Sequence, residues 1–214
     1  MNTVILDFDG TIADTKSLIV STMQQTLSVL GLPARSDEAC ASMIGLPLRQ
    51  TFTDLIPMDD ETADLCDKTY RELFMQNNKP GIVKLFPHVR ETIAELYAMG
   101  IIITVASSRG RDTLVSFLDE MGLMMYISKV VSSQDVEQAK PAPDMVLALL
   151  KRMNLKEDEV LVVGDTTFDI DMGNSAGCKT VAVTYGNHSQ ERLMTSHPTF
   201  VIEHFSKLAN LLFN

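Results

Sequence analysis

Cysteine is scarce in these 214 residues: Cys40, Cys66 and Cys178 are odd in number, scattered and without CxxC spacing. That excludes a disulfide framework and points to reduced, packed thiols in a reducing compartment. Positive charge is also short, with 18 Lys and Arg against 28 Asp and Glu and a net charge of −10. Nucleic-acid backbone binding is therefore disfavoured, and an anionic substrate would need local positive charge from a metal ion or a few placed side chains. No apolar run reaches membrane-spanning length, and the opening MNTVILDFDG has no basic region before its short apolar stretch. Neither a signal peptide nor a membrane partner is expected, and the chain reads as soluble and cytoplasmic. The four histidines, His88, His188, His197 and His204, have no ligand spacing such as HExxH, which favours loop or surface roles. Internal repeats and low-complexity tracts are missing too, and the 13 methionines read as core filler.

What is present is an alternation. Residues 3–8 (TVILDF) are apolar on both alternating faces, as a central parallel strand covered on both sides requires. Similar runs recur at 101–106, 128–132, 160–164 and 180–184. Between them, Val89, Ile93, Leu96 and Tyr97, then Leu114, Phe117, Leu118 and Met121, then Val146, Leu149, Leu150 and Met153 fall at helical spacing. Strand and helix in turn imply an α/β, Rossmann-like parallel sheet with helices on both faces. Residues 16–80 break the pattern. Ile19, Met23, Leu27 and Leu30 make one helical stripe, and further helical stretches follow near 37–44, 47–56 and 60–76. This is far longer than a crossover needs, so 15–80 reads as an inserted all-helical domain. Its expected hinges are 13–15 and 79–81, the sheet domain comprising 1–14 and 81–214. A closing helix is expected over about 203–213.

Ligands of open parallel sheets sit beyond the carboxyl ends of the strands. Four polar sets stand there: Asp7, Asp9 and Thr11; Ser107, Ser108 and Arg109; Lys140; and Asp165 with Asp169. Asp7 and Asp9, two residues apart, project to one side of an extended segment. With Asp165 arriving from a neighbouring strand they would repel strongly, and a bound dication relieves that. Hard oxygen donors, few in number and leaving room for water, suit Mg²⁺. Lys140 and Ser107 can hold the oxygens of a phosphoryl group. Ser107 or Ser108 can alternatively cap the helix starting near Asp112.

In order along the chain, Asp7-x-Asp9-Gly10-Thr11, Ser107, Lys140-Pro and Gly164-Asp165-x-x-x-Asp169 resemble the four motifs of the haloacid-dehalogenase-like superfamily. The insertion resembles its type-one cap, as in phosphoglycolate phosphatases and β-phosphoglucomutases. The resemblance implies Asp7 as nucleophile, Asp9 as acid-base residue, and Mg²⁺ held by the Asp7 carboxylate, the Asp9 carbonyl and Asp165, with Asp169 ordering water or binding directly. It implies Ser107 and Lys140 on the transferring oxygens; Thr11 is a further candidate for binding the phosphate and for orienting Asp7 or Asp9 by hydrogen bonding. Ser108, Arg109 and, in the cap, Arg49 are further candidates for the substrate. Asp9 separates the chain from similar enzymes that dehalogenate carbon. Gly164, where β-phosphoglucomutases typically carry glutamate, points to a phosphatase. Pro87-His88 and Ser108-Arg109 depart from the Pro-Gly and Asn-Lys or Ser-Lys frequent in phosphoglycolate phosphatases. The expected activity is Mg²⁺-dependent hydrolysis of a small phosphorylated metabolite by a monomer or weak homodimer. A mutase-like phosphotransferase and an inorganic pyrophosphatase are alternatives, and a phospho-acceptor receiver module or an idle binding protein are non-enzyme ones.

Overall fold

The computed structural model describes residues 1–212. The chain begins with β1 (Thr3–Leu6) and β2 (Ala13–Asp14) and runs through four helices, α1 (Lys16–Val29), α2 (Asp37–Ala41), α3 (Leu48–Leu55) and α4 (Asp60–Asn77). It returns at β3 (Lys84–Leu85) and then alternates: α5 (Val89–Ala98), β4 (Ile102–Ser107), α6 (Arg111–Glu120), β5 (Ile127–Ser132), α7 (Asp144–Met153), β6 (Val160–Gly164), α8 (Thr167–Ser175), β7 (Lys179–Val183), α9 (Gln190–Met194), β8 (Phe200–Ile202) and α10 (Leu208–Leu212). Six strands pair in parallel in the order β5-β4-β1-β6-β7-β8, so β1 is central, Leu6 lying beside Val105 on one side and Val163 on the other.

The alternation of apolar residues explains how both faces are covered. Val4 and Leu6 join one apolar cluster with Ile93, Leu96, Leu114 and Leu208, while Ile5 faces the other way into a cluster with Val146, Leu149 and Met172. The expected stripe of α1 is also realised, Ile19, Met23 and Leu27 being buried. It does not form a separate core. The first cluster continues from the sheet into the helices of the insertion, through Phe8 on Phe117 at 5.7 Å and Phe117 on Phe74 at 6.4 Å between ring centroids.

Several expectations shift. The first strand ends at Leu6, short of residue 8, because the chain turns back at Gly10, although the Asp7 N–H still reaches the Val163 carbonyl at 2.9 Å. The first expected hinge carries a strand: Ala13 and Asp14 pair antiparallel with Leu85 and Lys84, tying the entry of the insertion to its exit. The closing helix is a 3₁₀ turn at Phe205–Lys207 followed by α10, and the ends of the expected helix and domain, 213 and 214, lie outside the described residues. The short β8 was not expected. No helix among the described residues is long and apolar enough to cross a membrane.

Candidate active site

The four polar sets meet at the carboxyl ends of β1, β4 and β6. Lys140, on the loop before α7, is fully buried, and its Nζ donates to Asp7 Oδ1 at 2.5 Å and to Asp169 Oδ1 at 2.7 Å. Asp169 sits three residues after Thr166 in a capping box: its Oδ2 accepts the Thr166 N–H at 3.0 Å and the Thr166 hydroxyl at 2.6 Å. Asp165, at the end of β6, accepts from the Thr11 hydroxyl (2.9 Å), the Asn187 N–H (2.7 Å) and Asn187 Nδ2 (2.9 Å). The backbone approaches it closely. A Cβ on Gly10 (φ +100°) would fall 2.2 Å from Asp165 Oδ2 and one on Gly186 2.4 Å, so glycine on both sides is a steric requirement.

Asp7, Asp165 and Asp169 each bring a carboxylate oxygen within 4.8 Å of the others. Burial pushes Asp7 well above the usual carboxylate range; Lys140 opposes this, and Asp169, Asp165 and Asp9 add to it. Asp165 rises to about 7, through burial and then the charge of Asp169, with the bonds from Asn187 and Thr11 holding it back. Burial works against the charge of Lys140, but Asp169 and Asp7 outweigh it and raise the ammonium above its ordinary value. When ionised, four carboxylates (Asp7, Asp9, Asp165, Asp169) meet two cations (Lys140, Arg109), leaving two negative charges. A small dication fits this oxygen-only donor set and the glycine-walled cradle around Asp165.

The remaining sequence candidates divide. Ser107 is buried, and its Oγ accepts the Arg109 N–H at 3.2 Å. Ser108 instead ties the sheet to the insertion, its hydroxyl donating to the Gly45 carbonyl at 2.6 Å. Arg109 is buried, grips Asp9 with Nε at 3.0 Å and Nη2 at 2.6 Å, and lies over the rings of Phe74 (4.9 Å) and Phe117 (5.0 Å). Thr11 bonds Asp165 rather than Asp7 or Asp9, because the turn at Gly10 swings its side chain toward β6. Arg49 is half exposed and paired with Asp60 and Asp64 of α4 at 2.5 and 2.9 Å. It nevertheless lines, with Asp7, Asp9, Ser107 and Arg109, a cavity of about 660 Å³ between the strand ends and the inserted helices.

Sequence reasoning missed two neighbours on the loop after β7. Asn187 donates through Nδ2 to both the Asp9 carbonyl (3.1 Å) and Asp165, bridging two sequence-distant candidates. His188 is buried, contrary to a surface role, although it does lie on a loop. Its Nδ1 accepts the Thr167 N–H at 3.0 Å, which leaves the proton on Nε2 to donate to the Ser42 carbonyl at 3.2 Å. Burial, then the charge of Arg192, pushes its pKa down to about 4. Neither residue carries a spacing signal. Only the placement of β7 beside β6 brings their loop to the site.

This geometry belongs with the chain's similarity to known proteins. Residues 4–183 match the family described as haloacid dehalogenase-like hydrolase. The chain is 33% identical over 210 residues to a protein named probable phosphatase IndB from Dickeya dadantii, with 96% of this chain and 90% of that one covered. It is 32% identical over 212 residues to the pyrophosphatase PpaX of Anoxybacillus flavithermus, covering 99% and 97% of the two chains. Among solved structures, a haloacid dehalogenase-like hydrolase from Bacteroides fragilis superposes with a TM-score of 0.91 at 25% identity, over 97% of this chain and 99% of that one. These matches displace the receiver-module alternative. The chain belongs to the haloacid dehalogenase-like hydrolase family and is an enzyme of its phosphatase kind.

Proposed function

We propose that the enzyme hydrolyses the phosphate monoester of a small metabolite in two displacements through an aspartyl-phosphate on Asp7, with Mg²⁺ as cofactor. The observation that carries this is the setting of Asp7: a buried carboxylate bonded to Lys140 on Oδ1 and facing the cavity that reaches the inserted helices. Among the described residues Lys140 is the only hydrogen-bond donor to it, so Oδ2 is the oxygen left to attack.

In the first displacement the Asp7 Oδ2–P bond forms, the bond from phosphorus to the ester oxygen breaks, and Asp9 gives its proton to the departing oxygen. In the second, water attacks phosphorus, Asp9 takes its proton, and inorganic phosphate leaves Asp7. Each Asp9 oxygen accepts one bond from Arg109 and keeps a second lone pair, on which the proton can be carried. Lys140 holds the nucleophile in place and offsets its charge, and Ser107, which lines the same cavity as Asp7, is available to a phosphoryl oxygen. Asp7, Asp165 and the Asp9 carbonyl would hold Mg²⁺, with Asp169 behind them; when bound it supplies positive charge to the phosphoryl oxygens. Gly164 favours hydrolysis over mutase chemistry, because a Cβ there would fall 2.1 Å from the Asp169 Cβ and a glutamate has no room.

Residues 15–80 serve in this reading as a cap over a sheet domain of 1–14 and 81–214. Contacts of Ser108 and His188 with the carbonyls of Gly45 and Ser42 support its seating over the strand ends. Attack by water must be excluded before transfer and admitted afterwards, so the cap opens and closes. Solution scattering should show compaction when Mg²⁺ and a phosphate analogue are added; an unchanged radius of gyration argues against a moving cap. The chemistry is tested by phosphate release from a generic ester, which should stop on chelation of Mg²⁺ and in Asp7→Asn. Normal turnover by that variant rejects Asp7 as nucleophile, and turnover indifferent to chelation rejects the metal.

A further inference from the structure

We propose that the cavity above Asp7 selects phosphate monoesters with an uncharged, partly apolar leaving group, an aryl or alkyl alcohol, and disfavours substrates bearing a second anionic group. This rests on the phosphatase reading and narrows it to a substrate class. The cavity holds about 660 Å³, a volume suited to a small molecule. Asp7, Asp9 and Ser107 line the reacting end, while Ile19, Met23, Leu48, Tyr70, Phe74 and Met75 of the inserted helices supply an apolar wall. A leaving group attached to phosphorus at Asp7 extends toward that wall.

The charges around the wall carry the argument. Three arginines line the cavity, and each is already committed to carboxylates. Arg109 is held by both oxygens of Asp9 and packed on Phe74 and Phe117. Arg71 is held in a fork by Asp67, Nε at 2.6 Å and Nη2 at 3.0 Å. Arg49 lies between two carboxylates, Asp60 at 2.5 Å and Asp64 at 2.9 Å. Asp112, exposed in the first turn of α6, adds one more carboxylate to the lining. Among the described residues that line the cavity, four acidic side chains (Asp7, Asp9, Asp67 and Asp112) thus outnumber the three arginines. A second carboxylate or phosphate on the substrate would find no uncommitted guanidinium. Arg49 and Arg71 bond their carboxylates through Nε and Nη2, so an anion approaching Nη1 meets a guanidinium whose charge is already offset. To gain a full cation it must break a pair, and breaking the buried one strips the acid-base residue of its partner and unseats Arg109 from its rings. An uncharged ring or alkyl chain meets no such barrier and is covered by the apolar wall.

The test measures kcat/KM with Mg²⁺ for phenyl phosphate, 4-carboxyphenyl phosphate, phosphoglycolate and pyrophosphate, on the wild type and on Asp67→Asn. The ring carboxylate does not make the phenol a poorer leaving group, so slower turnover of that ester reports charge rather than bond breaking. Phenyl phosphate should exceed the other three by about 10-fold or more. In Asp67→Asn, which releases Arg71, the gap between the two aryl esters should shrink by about 3-fold. Turnover of 4-carboxyphenyl phosphate or phosphoglycolate equal to or faster than that of phenyl phosphate overturns the selectivity and leaves the phosphatase reading intact, whereas pyrophosphate turned over faster than all three esters overturns the selectivity and the monoester reading together. A gap unchanged in Asp67→Asn overturns its assignment to charge. Phosphate release from none of the four overturns the phosphatase reading, and the substrate class with it.

Discussion

Acidification from pH 7.5 to 5 should weaken the fold through His188. In the folded chain this ring is neutral, accepting from Thr167 on Nδ1 and donating to Ser42 from Nε2, and its pKa lies near 4. In the unfolded chain it titrates near 6.5, so between those values the unfolded state binds the extra proton. Stability is therefore flat above about pH 6.5 and falls as pH drops toward 4. The full interval corresponds to about 3 kcal/mol at 1.36 kcal/mol per pH unit, and the part above pH 5 to at most about 2 kcal/mol. Water reaching the loop reduces this to an expected ~1–2 kcal/mol. Protonation of Nδ1 also removes the acceptor of the Thr167 N–H at the start of α8. The assay is urea unfolding of the wild type and His188→Gln at several pH values in the presence of a chelator. Glutamine retains an acceptor and a donor but does not titrate, and carboxylates common to both proteins cancel in the difference. The wild type should lose about 1–2 kcal/mol more than the variant between pH 7.5 and 5. Parallel profiles, or a His188 resonance titrating near 6.5, would refute the reasoning.

Lys140→Met should destabilise the metal-free protein by about 3–5 kcal/mol at neutral pH, by leaving Asp7 and Asp169 buried without their cation. It should also lower kcat by about 10²-fold, which steady-state kinetics can check. Asn187→Leu removes the side-chain donations to Asp165 and the Asp9 carbonyl, and should raise the Mg²⁺ concentration for half-maximal activity by about 10–100-fold. A metal titration of activity decides that case, and an unchanged midpoint removes Asn187 from the support of the site.

Strands β1, β4, β6 and β7 were legible because each is apolar on both faces, which few arrangements other than a covered parallel sheet permit. The acidic and basic residues at their ends followed from that placement. Arg109 was harder. An arginine at a helix start looks solvated, and its aromatic cage is assembled from Phe8, Phe74 and Phe117, far apart in the chain. Thr11 was assigned to the wrong carboxylate because the turn at Gly10 decides which neighbour it meets. Asn187 and His188 were invisible, since a loop gains chemical meaning only from the strand order that delivers it. The β2–β3 ladder went unread because two residues are too few to show periodicity.

That ladder has a consequence for how such a protein can change over time. The chain departs at Ala13–Asp14 and comes back at Lys84–Leu85 on paired strands, about 5 Å apart. Everything between is an excursion from one doorway. Its length and helix count can be rewritten without rethreading the sheet, provided the replacement again covers the strand ends where Phe74 meets Phe117 and Gly45 meets Ser108. The doorway thus separates the part of the chain that can vary in length from the sheet that cannot.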